Sequence, residues 1–154
     1  MSGIIAAPVA ASGVLTATGN FASNDTVLIG SRVLKFEATP AALDDIDVGA
    51  DLEASLVNLA GVINGDFAVG EAFAGTLPVI GLSAVSTATV LTVTVDVAGA
   101  YGNSMDLREG VDGGGTFSIT TAMAGGTGDL QAYIDSIISG AQLNSEVIEA
   151  LAGL

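Results

Sequence analysis

The chain contains no cysteine, no histidine and no tryptophan, and only three basic residues, Arg32, Lys35 and Arg108. Without Cys or His there is no disulfide, no thiolate nucleophile, no imidazole base and none of the common zinc ligand sets. A chain without cysteine is also indifferent to redox state, so no compartment follows from thiol chemistry. Seventeen acidic residues against three basic ones leave a formal charge of -14. Phosphates and anionic lipid surfaces repel such a chain, which argues against nucleic acid and membrane as partners. Aromatic side chains are sparse, with five Phe and two Tyr. Paired acids for sugar hydrolysis would need a cleft and aromatic platforms for the sugar ring, which Tyr101 and Tyr133 supply poorly.

What is present is apolar and small. Half of the 154 residues are hydrophobic, enough to bury one sizeable core, and the length favours one domain over two. The opening MSGIIAAPVAASG lacks a positively charged region and is interrupted by Pro8, so it reads as an extended arm rather than a signal peptide. The charge-free run from Ala72 to Val95 is long enough to raise a membrane span, but Pro78, Gly81 and a Ser/Thr alternation break it into strand-length pieces.

Local patterning predicts the elements. A first strand runs from Val14 to Thr18, and a hairpin pairs Thr26 to Ile29 with Arg32 to Glu37. Gly30 supplies the positive φ that a type II′ turn needs at its first central position. Leu34 and Phe36 fall on one face of the hairpin, Lys35 and Glu37 on the other. EATPAALDDIDVGA reads as an acidic loop. After it the period changes to helical, with Leu52, Leu56, Leu59 and Ile63 on one stripe, Asp51 as N-cap, Glu53 in the first turn and Gly65 as terminator. Strands resume at Pro78 to Ser83 and Thr89 to Val97, then at Met105 to Arg108 and Thr116 to Met123. Two short helices, Asp129 to Ser139 and Ser145 to Leu151, are expected to close the chain.

Candidate chemistry is thin. GVDGGGT is glycine-rich, but a phosphate loop needs a Lys followed by Ser or Thr opening a helix, whereas Gly115 leads into strand-like TFSIT. Asp44, Asp45, Asp47 and Asp51 hold enough carboxylate for a hard cation, but their spacing is not that of an EF-hand, and a solvated acidic loop is the better reading. Lys35 invites the idea of an intramolecular isopeptide bond; an edge-strand lysine that discourages sheet-to-sheet pairing is the simpler one. No catalytic, cofactor-binding or metal-ligating residue is assigned, no cofactor and no small-molecule substrate is expected, and the chain does not read as an enzyme.

Four pieces in order, ASGVLTATGNF, NDTVLIGSRVLKFEA, DIDVGADLEASLVNLAGVING and LTVTVDVAGAYGNSMDL, resemble a module of bacteriophage virion proteins. That module opens on an ATGTLTFTGNP-type strand, runs through GDTVTIGG, YTF and VLIGA to a helix ending NLAAAINA, and closes on VTAKTAGAAGNS. The likeness spans Ala11 to about Gly128. Leu34 and Lys35 stand where the module usually has Thr-Tyr, and the chain carries one copy rather than a tandem array, which argues against a long fibre shaft. The resemblance implies a virion structural role and brings no catalytic residues with it.

The expected architecture is α+β: a mainly antiparallel sheet, strongly curved or folded into a sandwich, covered by one helix and followed by a C-terminal helical pair. Residues 1–12 are expected to form an extended arm, 13–128 the β-rich module and 129–154 the helical segment. The C-terminal stripe of Leu130, Ile134, Ile137 and Ile138, continued by Leu143, Val147, Leu151 and Leu154, is expected to close the protein's own core rather than a subunit contact. The function expected is that of a capsid decoration (cement) protein on the outer surface of the head, assembled in the host bacterial cytoplasm, with the major capsid protein or other virion proteins as partners and homo-oligomerisation. A tail, baseplate or fibre component is the alternative within the structural class, and a carbohydrate-binding adhesin module the alternative outside it.

Overall fold

The computed structural model describes residues 5–67, 72, 74–110, 117–138 and 152. The glycine-rich stretch 111–116 and the second expected C-terminal helix, Ser145 to Leu151, lie outside the described residues. The described elements are β1 (Ser12–Ala17), β2 (Thr26–Ile29), β3 (Arg32–Glu37), β4 (Asp45–Asp47), α1 (Leu52–Asn64), β5 (Leu82–Ser86), β6 (Val90–Val95), β7 (Leu107–Glu109) and β8 (Phe117–Ala124). A short 3-10 turn covers Ala100–Ser104, and a helix α2 covers 130–138.

The fold class is α+β, with two four-stranded sheets in the orders β5-β6-β1-β8 and β4-β3-β2-β7. The first is antiparallel throughout. The second is mixed, because β4 runs parallel to β3. Alternation dictates which side of each strand is buried: Leu15 and Ala17 on β1, Leu91, Val93 and Val95 on β6, and Leu34 and Phe36 on β3 all lie inside. Phe21 joins the two sheets, stacking on Phe36 with centroids 3.9 Å apart and meeting Phe117 at 4.9 Å. Gly13 on β1 is the close-packed point of the core. A Cβ there would lie 2.6 Å from Leu107 Cδ2 and 2.8 Å from Met123 Sδ, so side chains of β7 and β8 occupy the space that a larger residue would need.

The hairpin forms at the expected residues, with Gly30 at φ +62. Helix α1 begins after Asp51, whose Oδ1 accepts the Ala54 N–H at 2.9 Å, and ends at Gly65 at φ +74. Leu56, Leu59 and Ile63 are buried and Leu52 packs against the core.

Four expectations change. The acidic loop contains a strand, β4, because Asp45 turns the chain and Ile46 is then drawn into the core. Lys35 is consequently not on an edge: β3 lies between β2 and β4. The strand expected at Pro78 to Ser83 starts only at Leu82, since Pro78 has no N–H for a ladder and Gly81 turns at φ +83. The described part of the expected arm, residues 5–12, is held at its end: Val9 and Thr127 exchange backbone hydrogen bonds at 2.9 and 3.0 Å, Ala11 is fully buried and Ser12 opens β1. Among the described residues no helix is long and apolar enough to cross a membrane.

Candidate functional site

The acidic loop is the first place to look for chemistry, and the fold takes it apart. Asp44 pairs with Arg32. Asp45, almost wholly buried, accepts the Ala41 and Ala42 N–H groups at 3.0 and 2.8 Å and faces Lys35 Nζ at 3.3 Å. Asp47 ends β4, and Asp51 caps α1. Among the described residues no three carboxylates gather into a set that could hold a metal ion.

Lys35 lies between two carboxylates, with Glu37 at 2.8 Å and Asp45 at 3.3 Å. Hydrogen bonds to Glu37 and then Asp45 raise the lysine above its ordinary value. Burial pushes the Asp45 carboxyl up, but the two backbone N–H groups and Lys35 outweigh it and hold the carboxyl below its ordinary range. Both directions favour the charged forms. Amide formation needs a neutral amine and a protonated carboxyl, so this contact is an ion pair, and no Asn stands in it.

Four of the five asparagines of the motif pieces do a different job. Asn20 donates to the Gly49 carbonyl at 2.9 Å and accepts from Ser55 Oγ at 2.6 Å, fastening the end of β1 to the start of α1. Asn58 donates to the Asp47 carbonyl at 3.1 Å. Asn64 bonds both the N–H and the carbonyl of Ala84 at 2.8 Å, occupying the outer edge of β5 as a neighbouring strand would. Asn103 makes the same two-point contact with Gly126, at 2.8 and 2.9 Å. Each primary amide offers one donor side and one acceptor, which is what two backbone groups of one residue require.

What remains as candidate interaction surface is apolar. One groove, of about 530 Å³, is bordered by Val97, Tyr101, Leu130 and Ile134. Along α2 the side chains of Ile134, Ile137 and Ile138 are 40%, 42% and 51% exposed. The described part of the C-terminal stripe therefore does not close the core, contrary to expectation: Ile134, Ile137 and Ile138 of α2 face solvent. A second groove, of about 460 Å³, lies between the Gly30 hairpin and the loop that precedes β5. Its rim carries Leu43, Leu77 and Ile80, all exposed. Sequence reasoning missed this second surface because it took Pro78 to Ser83 for a strand; the signal was an apolar run closed off by Pro78 and Gly81.

The chain matches no protein-family model, no curated protein and no solved structure.

Proposed function

We propose that the chain is a structural component of a bacteriophage virion, most specifically a decoration (cement) protein bound to the outer surface of the head. The observation that carries this reading is how the motif residues are used. The polar side chains at the heart of the phage-like pieces, Asn20, Asn58, Asn64 and Asn103, are all committed to backbone groups that lock strands, helix and loops together. Residues spent in this way make a stiff scaffold and present no reactive group. Large apolar side chains such as Leu77, Ile80 and Ile138 meanwhile point outward, as docking to other virion proteins requires. The negative charge suits an outer surface better than contact with packaged DNA.

The test is binding of the purified chain to shells assembled from the major capsid protein encoded beside it. Saturable decoration at symmetry-related positions supports the proposal. Incorporation into tails or baseplates instead would move the protein elsewhere in the virion, and glycan binding without shell binding would make it an adhesin module.

A further inference from the structure

The stretch 74–81 before β5 exposes apolar side chains and is nevertheless firmly held. Arg32 Nη1 donates to the carbonyl oxygens of Leu77 and Pro78 at 2.6 and 2.9 Å, while Nη2 pairs with Asp44. The Asp44 N–H donates in turn to the hydroxyl of buried Thr76 at 3.1 Å. One of the three cations in the chain is thus committed to fixing two carbonyls of this loop. The outcome is that Leu77 is held 68% exposed and Ile80 90% exposed, beside Leu43 at 64%. Together these side chains expose on the order of 400 Å² of apolar surface, within the range of the largest patch on a typical monomer, which is often functional.

We infer that this surface receives a second copy of the chain, loop against loop across a two-fold axis. Shape is the first argument. The patch carries a groove of about 460 Å³ bordered by Leu43, Leu77 and Met105, and Ile80, on the rim of that groove, projects from it. A two-fold contact needs knob and hole on one patch, because each copy gives and receives. Charge is the second. Among the described residues the only charged groups lining the groove are Arg32 and Asp44, which pair with each other. The patch is therefore neutral on a chain of charge -14, and two copies meet there without burying an unpaired carboxylate. A basic partner drawn in by charge would find no free carboxylate among the described residues that line this groove. Facing copies cover on the order of 800 Å² in total, below a standard interface, so the dimer is weak and concentration-dependent. The inference does not rest on the virion reading.

Sedimentation equilibrium of the full chain over a wide concentration range tests it. The expected result is a mass rising from 15.0 kDa toward twice that value. Association should strengthen as salt is added, because salt screens the repulsion between two acidic copies. Ile80→Asp and, separately, Leu77→Ser should raise the dissociation constant at least about tenfold. Both side chains are exposed, so circular dichroism should show either variant folded. Val85→Asp, on the exposed outer face of β5, should dimerise as the wild type does. A mass fixed at 15.0 kDa at every concentration overturns the inference, as does unchanged association of Ile80→Asp or loss of it in Val85→Asp alone. If the chain stays monomeric and Ile80→Asp instead loses binding to shells, the occupant is the shell protein: the second copy is then wrong, while the virion reading stands.

Discussion

Asp45 joins two tasks in one side chain, since its buried carboxylate makes the turn into β4 and anchors Lys35. Its carboxyl is held below the ordinary range, so the stabilisation it gives is fully present above the unfolded-state value and is lost as the pH falls below about 4, through its folded value. Lys35 acts in the opposite sense: raised, it contributes below its ordinary value and loses that contribution only as strongly alkaline pH passes its folded one. Its half-exposed position makes that contribution small. Asp45→Asn should cost roughly 1 to 3 kcal/mol at neutral pH, because a buried network loses its charge and one good acceptor. In denaturant titrations the gap between wild type and variant should close as the pH is lowered below about 4; a gap independent of pH would assign the cost to packing. Gly13 belongs to the same scale. Gly13→Val should destabilise by about 1 to 3 kcal/mol, since its side chain would enter space filled by Leu107 and Met123. An unchanged melting midpoint would mean that the two sheets separate there without penalty.

At the scale of elements, edge protection matters most. The outer groups of β5 at Ala84 are satisfied by Asn64, and β4 is bridged at Ile46 by Ala72. Asn64→Ala should lower stability by roughly 1 to 2 kcal/mol and raise aggregation on heating, because it uncovers an uncharged strand edge. Light scattering during thermal melts checks this, and a variant that melts lower without aggregating would remove the edge-guarding role. Elements governed by local rules were legible in the sequence: the hairpin about Gly30, the alternation of Leu34 and Phe36, and α1 with Asp51 and Gly65 as its caps. Others were hidden because tertiary partners decide them. β4 exists since Asp45 finds Ala41 and Ala42 nearby and Lys35 across a parallel register, which no window of sequence displays. The asparagine clamps were invisible for the same reason: Asn20 meets Gly49, and Asn103 meets Gly126, only once the chain is folded. The loop before β5 was misread because its apolar residues imitate a strand while Arg32, from a distant hairpin, takes the carbonyls.

For the whole molecule, charge is segregated. β1, β5, β6 and β8 contain no charged residue at all, so one entire sheet is neutral and the described carboxylates lie on the other sheet, α1, α2 and the loops. With a net charge of -14, moderate salt should stabilise the isolated chain by screening self-repulsion, read as a rising urea midpoint. A chelator should leave the thermal midpoint unchanged, since Asp44, Asp45 and Asp51 have separate employments and no three carboxylates gather among the described residues; a fall of many degrees would place a cation among Asp44, Asp45, Asp47 and Asp51 after all. The central proposal is that this acidic, amide-clamped scaffold is a head decoration protein, and it is tested most directly by mixing the chain with undecorated shells of its own capsid protein and imaging the product by cryo-electron microscopy. The account predicts ordered extra density on the outer surface at symmetry-related positions, saturating with added protein. Bare shells at saturating protein, with the chain recovered on tails or on glycans, would contradict it.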